Sequence, residues 1–457
     1  MKNTLNNNSI EKSIAKAYIV LLPLRMFSVF SEFMGIFGAA ASYFDFFLHL
    51  LGMSLLLVCR GGKIRSTKLG NSFAASIGIL LAISVAMALC LHNSLGTLDG
   101  ENSLTAIIGP SIYYIQYILI ILYNINVFYM FTVQEIDKLM STTVKWLLVL
   151  GYIQVLICIG IGGIGSIYDG LNFMGAFQPA EYIQELERIP LAGSEPAAGG
   201  WMIGLFVVPY LLSKIITSQQ KKGYIVQSLA WLPIIYFTKS STCYILVTTA
   251  ILVFAVLYYR YTNTRKRGAF VLAGAVVLLT GVTLILVGSF GDNEIAQRIR
   301  YLLFEKLFDG DNESTVTRTI PTYINLQIFL RYPLFGVGNG NQGFFYREFF
   351  PSWGGISSNT YEKIVGVADG GVFVPSLFSG FGIVGVIILS LYAIRLVRLA
   401  VCQKTNLDSM FYMFIIASVV FVVNGFQGDY FGQYLPLFVM SIPFMGSCCR
   451  KENKLGS

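Results

Sequence analysis

The chain has 457 residues, of which 55% are hydrophobic, 14% aromatic and only 12% charged. A soluble globular protein carries about 25% charged residues, so this composition excludes a soluble enzyme, a disordered chain and a fibrous one. The net charge of +8 would point to nucleic acid only if the basic residues shared a soluble face. Most of them sit instead in short loops between apolar segments, where they orient a membrane protein.

The N-terminus, MKNTLNNNSIEKSIAKAY, is polar and rich in Asn, without a cleavable apolar region. The first hydrophobic stretch is therefore expected to act as signal and anchor. At about 20 apolar residues per span, the sequence predicts about twelve transmembrane helices. In chain order they cover 18–38, 41–59, 71–91, 104–131, 143–166, 199–218, 224–238, 241–259, 269–289, 372–394, 409–426 and 431–448. The first is interrupted by Arg25 and Glu32, the second carries Asp45 and His49, and the fourth contains Pro110.

Charge placement orients these spans. With the N-terminus in the cytoplasm, the clusters Arg60/Lys63/Arg65/Lys68, Lys221/Lys222, Arg265/Lys266/Arg267 and Arg395/Arg398 all fall on the cytoplasmic side. The short exoplasmic loops HNSLGTLDGENS and NGFQGDYFGQ contain no Lys or Arg. Both termini are thus expected in the cytoplasm. The chain reads as one integral membrane domain, 1–457, with two long exoplasmic loops at about 167–198 and 290–371. Loops of that length without a role are uncommon, and function concentrates in loops held by a rigid scaffold.

The first loop ends ELERIPLAGSEPAAGGWMIGL. Arg188, Ser194 and Glu195 stand just before a helix opened by small residues. Two readings are open: a capped helix with a snorkelling arginine, or the polar rim of an active site with Glu195 as proton acceptor. The second loop carries STVTRTIPTYINLQIFLRYPLFGVGNGNQGFF. Residues 315–331 can form an amphipathic helix, with Arg318 near its start and Arg331 near its end. Pro333 stops that helix, and Gly336, Gly338 and Gly340 form a tight turn. Arginine suits diphosphate because its planar fork donates two parallel hydrogen bonds. GVGNG lacks the Lys-Ser/Thr ending of a nucleotide-binding loop and is expected to be a turn returning the chain to the bilayer. Asp369 closes the loop, and the following helix is rich in glycines that favour close helix packing.

The remaining polar residues are ambiguous. Arg25, Glu32 and Asp45 lie at membrane depth, where charges either pair structurally or line a headgroup or substrate path. His49 and His92 are the only histidines; His49 reads as a core residue and His92 as exposed. The seven cysteines avoid both long loops and show no zinc-ligand spacing.

Four segments together resemble the O-antigen polymerase and O-antigen ligase superfamily of bacterial membrane glycosyltransferases. RTIPTYINLQIFLRYPLFGVGNG resembles its arginine–helix–P-x-x-G-x-G signature, and SLFSGFGIVGVIIL its glycine-rich helix after the large loop. ERIPLAGSEPAAGG resembles the first-loop Arg and Glu-Pro segment, including an arginine followed after ten residues by glycine, here Arg188 and Gly199. FTKSSTCYILVTTAIL resembles a Ser-rich helix start. They occur in family order over about 185–395; the N-terminal helices match in hydropathy alone.

The resemblance implies an all-α, GT-C-like polytopic fold in the bacterial cytoplasmic (inner) membrane, with the active site facing the periplasm or exterior. It implies inverting glycosyl transfer from a glycan on undecaprenyl diphosphate, with no cofactor and no metal. A polymerase uses a second lipid-linked repeat unit as acceptor; a ligase uses lipid A-core. By resemblance, Arg318 and Arg188 bind the diphosphate and Glu195 accepts the proton of the attacking hydroxyl; Glu195 and Arg318 are the catalytic candidates, and Arg188, Arg331, Tyr323 and Asp369 the substrate-binding ones. A chain-length regulator and a flippase are expected partners, together with the lipid bilayer; nucleic acid is not. Ligases of the family usually carry a histidine in the large loop, and this loop has none, which favours the polymerase. A lipid-linked oligosaccharide flippase or other transporter is the alternative of another class. It predicts charged helices and repeat symmetry between halves, and the sequence shows neither.

Overall fold

The computed structural model describes residues 2–24, 44–98, 100–172, 177–261, 274, 313–351, 358–365, 372–426, 428 and 434–449. Arg25, Glu32, Asp369 and most of the apolar segments 18–38 and 269–289 lie outside the described residues, as does the Asp45 side chain.

The described chain is helical apart from a two-residue antiparallel pairing of Thr97–Leu98 with Glu101–Asn102. Its helices, in order, are α1 (Lys2–Leu21), α2 (Phe44–Cys59), α3 (Lys68–Leu95), α4 (Ile108–Phe128) and α5 (Val133–Cys158). The first long loop holds two short helices, α6 (Ile164–Leu171) and α7 (Ala180–Leu186). Next come α8 (Pro196–Thr217), α9 (Lys221–Ala230), α10 (Leu232–Thr238) and α11 (Ser241–Tyr261). The second long loop contributes α12 (Glu313–Arg331) and α13 (Ser358–Val365), and the chain closes with α14 (Phe373–Cys402), α15 (Ser409–Asn424) and α16 (Tyr434–Cys449).

Six described helices are long and apolar enough to cross a membrane: α3, α4 with its leading turn, α5, α8, α11 and α14. The apolar helices α2, α15 and α16 are shorter. The segment 224–238 folds as two helices meeting at the buried Trp231. Pro233 stands just past that junction, and without an N–H it cannot carry the helical ladder through.

One helix differs from the rest. In α8, 89% of the apolar window is buried, against 28–44% in the other five candidate spans. It is the central post, packed against α11 and α15. Its neighbours turn one face inward and leave large residues such as Leu89, Val149 and Ile387 exposed, as expected for a lipid-facing surface. Small residues let α8 sit this deep. A Cβ on Gly200 would lie 2.8 Å from Cys243 Cβ of α11, and one on Gly199 would lie 2.6 Å from Pro190 O. Mid-way, Ile203–Val207 widens into a π turn directly before Pro209. That proline lacks the N–H that would bond to Leu205, a common setting for such a bulge.

The second loop carries a core of its own. Val316, Ile320, Ile324 and Ile328 form an i, i+4 stripe along α12 and pack with Val337, Phe345, Tyr346 and Ile364. After Pro333 the chain enters the GVGNG turn, which docks into a break in α14. Val337 N donates to Ser379 O and Gly338 N to Gly380 O, both at 2.9 Å. In return Ile383 N donates to Pro333 O (2.8 Å) and Val384 N to Leu334 O (3.1 Å). The exchange is possible because α14 is non-helical at Gly382 (φ 60, ψ −164). Gly336 also has positive φ, and a Cβ there would lie 2.3 Å from Ser379 O. The glycine turn is thus a structural splice between the loop and the membrane helices, as expected of a returning turn.

Candidate functional site

The first loop is fastened to the bundle by polar groups. Gln154, a buried polar residue in α5, uses its amide like a strand partner. Its Nε2 donates to Leu191 O and its Oε1 accepts from Leu191 N, each at 2.9 Å. That satisfies both backbone groups of a residue held at φ 52, a conformation disfavoured for a branched side chain. The Tyr168 hydroxyl donates to Gln178 O (3.0 Å) and accepts from Gln154 Nε2 (3.0 Å). Asp169 accepts from Ala180 N at 2.9 Å, fixing the start of α7.

Arg188 closes the clamp. Its Nε donates to Thr238 O (3.2 Å) and its Nη2 to Lys239 O (2.9 Å), while Ile189 N donates to Phe237 O (3.0 Å). These are carbonyls at the C-terminus of α10, where a cation is favoured. Lys239 in turn pairs with Glu187 at 2.9 Å. Part of the Arg188 fork therefore anchors the loop, and the rest of the side chain stays within electrostatic reach of Tyr182.

Glu195 is the residue before α8, with extended backbone (φ −151, ψ 162) and no capping hydrogen bond from its side chain. Pro196 occupies the first turn, where its missing N–H costs nothing. The carboxylate is exposed and stands at the positive end of a long helix dipole. Arg318 approaches it from the second loop. The guanidinium is half-buried, and burial lowers its pKa from the ordinary value while attraction to Glu195 acts in the opposite sense. Thr322 bonds the Arg318 carbonyl (2.7 Å); no hydrogen-bond partner for the guanidinium stands among the described residues. Tyr182 of α7 completes the group. Its phenol is pushed up first by burial and then by Glu195, with Arg188 pulling the other way.

Electrostatics thus link Glu195 to Arg318 and, through Tyr182, to Arg188. Among the described residues the structure sets Arg331 apart. Arg331 lies roughly 20 Å along α12 from Arg318; it is exposed, pairs with Glu348, and stacks on Tyr332 and Phe349. Tyr323 is partly buried against the core of the second loop. His49 is buried among Tyr18, Tyr123 and Tyr434, as a core residue, and His92 is exposed beside Ser103 (3.3 Å).

Sequence reasoning missed two contributors. Tyr182 gave no signal beyond being an aromatic close to Arg188. Gln154 did give one: an uncharged polar residue in an otherwise apolar span is expensive in lipid and calls for a partner.

The cluster combines an arginine whose guanidinium has no hydrogen-bond partner among the described residues, an exposed carboxylate at a helix N-terminus and a partly buried phenol. Residues 228–365, which carry Arg318 and the glycine turn, match the O-antigen ligase family model. No curated protein matches the chain significantly. The likeness to that family extends over residues 228–365.

Proposed function

We propose that this chain polymerises a surface polysaccharide, O-antigen or capsule. It joins undecaprenyl-diphosphate-linked repeat units by inverting glycosyl transfer on the outer face of the cytoplasmic membrane. The observation that carries this reading is that Arg318, half-buried and with no hydrogen-bond partner for its guanidinium among the described residues, is attracted by Glu195 from the other long loop. A half-buried guanidinium without hydrogen-bond acceptors is costly, and a diphosphate supplies them.

In the reaction, a hydroxyl of the acceptor sugar attacks the anomeric carbon of the donor as the bond to the lipid diphosphate breaks. Glu195 takes the hydroxyl proton, a general-base contribution of about 10²–10⁴-fold. Arg318 offsets the charge that grows on the departing diphosphate, an effect of about 10²–10³-fold for one donor in such a site. Arg188 holds the loop that presents Glu195, and Tyr182 stands within electrostatic reach of both. The leaving group carries its own activation, so these steps need no nucleotide.

The polymerase is favoured over the ligase because the large loop contains no histidine. A deletion strain complemented with wild type, Arg188→Ala, Glu195→Ala or Arg318→Ala tests the reading on a glycan ladder gel, with membrane levels matched. A polymerase leaves a single surface repeat unit and no ladder when deleted. Loss of the single unit as well would hand the role to a ligase or flippase. A wild-type ladder from Arg318→Ala would remove the diphosphate assignment.

A further inference from the structure

The helix that carries Arg318 is apolar on two opposite faces. One is the Val316–Ile320–Ile324–Ile328 stripe, buried in the core of the second loop. The other is a row of leucines. Leu326, Leu330 and Leu334 are 52%, 63% and 60% exposed, and Phe335 continues the row at 47%. Leu326 and Leu330 each stand two positions from an isoleucine of the core stripe, about 200° around the helix. Followed back toward the start of α12, the leucine row meets Thr322 and then Arg318. It therefore changes from polar to apolar within one turn.

Two rulers give the depth of this row in the bundle. The first is α14, where the splice joins Pro333 O and Leu334 O to the N–H groups of Ile383 and Val384. Ile383 is exposed and begins the Ile383–Ile387–Leu391 row that α14 turns outward. The second is α3, where Asn339 N donates to Ser84 Oγ at 3.1 Å. Arg395 of α14 donates to Ser72 Oγ of α3 at 3.3 Å, so both rulers start from one level. From Arg395 to Ile383, and from Ser72 to Ser84, is twelve residues, a rise of about 18 Å.

Arg395 and the nearby Lys68 mark one edge of a hydrocarbon layer about 30 Å thick. Both rulers then end inside that layer, and tilting either helix takes the glycine turn deeper. Irregular backbone is tolerated at such depth only where protein covers it, and residues 336–342 are buried throughout. The leucine row just before them is left uncovered. Arg331 lies on the flank between the two apolar faces. It keeps its charge paired with Glu348 and its guanidinium over the rings of Tyr332 and Phe349, as suits a long cationic side chain at the edge of hydrocarbon.

We propose that α12 is a re-entrant membrane helix whose leucine row lies among the acyl chains of the phospholipid leaflet on the Glu195 side. Lipid is chosen over a protein partner because the row runs on, through the splice, into the outward row of α14. The second long loop is then not wholly exoplasmic. Arg318, eight residues before Leu326, is held no more than about 12 Å above the acyl chains, beside the headgroups. This placement does not depend on which reaction the site performs.

The test uses the full-length protein in nanodiscs of phosphatidylethanolamine and phosphatidylglycerol. An environment-sensitive fluorescent amino acid replaces Leu330 or, as a control, Thr319, which is exposed near the start of α12. Nitroxide quencher is supplied either midway along a phospholipid acyl chain or as a water-soluble compound. The acyl-chain nitroxide should quench position 330 at least about twofold more than the soluble one, with the order reversed at 319. The same order at both positions would overturn the proposal, because no leaflet boundary would cross the row. Quenching of 330 by neither probe would also overturn it, by showing a second copy or another protein over the leucines. A further measurement needs no substitution. Wild type in the same nanodiscs is irradiated with a phospholipid carrying a diazirine at the end of one acyl chain. Adducts in the peptide 326–335 support the proposal; adducts in the α14 peptide without any in 326–335 would remove it.

Discussion

The two long loops hold their key side chains over the bundle by different physics. The first, ending at Glu195, has little core of its own. It is tied down by directed bonds: Gln154 to both backbone groups of Leu191, Asp169 to Ala180, and Arg188 to the last carbonyls of α10. The second builds a small hydrophobic core around the α12 stripe and then splices its glycine turn into the break in α14. One loop places a carboxylate by hydrogen bonds, and the other places an arginine by packing. A site formed where they meet loses its geometry if either method fails, and the two should fail under different substitutions.

The largest effect is expected in the splice. Gly336→Val puts a β-branched residue at φ +66 and drives its Cβ against Ser379 O. The left-handed backbone alone costs about 1–2 kcal/mol, and the clash adds to it. The variant should fail to dock the second loop, seen as early melting in detergent and rapid proteolysis within 313–351. A normal melting curve would show that the turn is not a structural splice.

Next come the reacting groups. Arg318→Ala and Glu195→Gln should each cut polymerisation about 10²–10³-fold at unchanged Tm, because neither side chain carries packing that its loop depends on. Arg318→Lys should recover only part of the loss, since an ammonium cannot make the paired bonds of a guanidinium. Full activity from the lysine variant would reduce Arg318 to a point charge.

These two residues also mark how far the sequence could be read. The apolar spans follow from hydropathy because lipid demands long apolar helices, and six described helices meet that demand. Arg318 and Glu195 stood out as charged side chains near helix starts in the two long loops, where a bland capping role and a catalytic one were both open. Their meeting could not be read. It depends on two loops far apart in the chain being set over the same helices, which is a tertiary fact. The central position of α8 was hidden too, because hydropathy cannot separate a span buried in protein from one facing lipid; only Gly199, Gly200 and Gly204 hinted at it. The break at Trp231 was hidden because Pro233 sits in a run that is apolar throughout.

The first loop should yield to a polar deletion. Gln154→Leu keeps the size but leaves the Leu191 N–H and C=O buried without partners, at about 1–3 kcal/mol per group. The expected outcome is a lower Tm and a fall of about tenfold in kcat as Glu195 drifts. The same leucine change at the exposed Gln184 should do neither. Equal Tm for Gln154→Leu and wild type would show that the loop is held by packing, as the second loop is, and would erase the contrast.

The smallest effect is expected at Arg331, at the far end of α12 from Arg318. It is exposed, pairs with Glu348, and lies against Tyr332 and Phe349. Solvent screens such a pair, so Arg331→Gln should leave Tm unchanged. Arg331 is too far along the helix to reach a diphosphate held at Glu195, so a role in catalysis would have to run through the distal glycan. Contacts of that sort bind ground state and transition state alike, and losing one raises KM while kcat stays constant. A drop in kcat as deep as that of Arg318→Ala would place the leaving group between the two arginines and move the reacting centre along α12, away from Glu195.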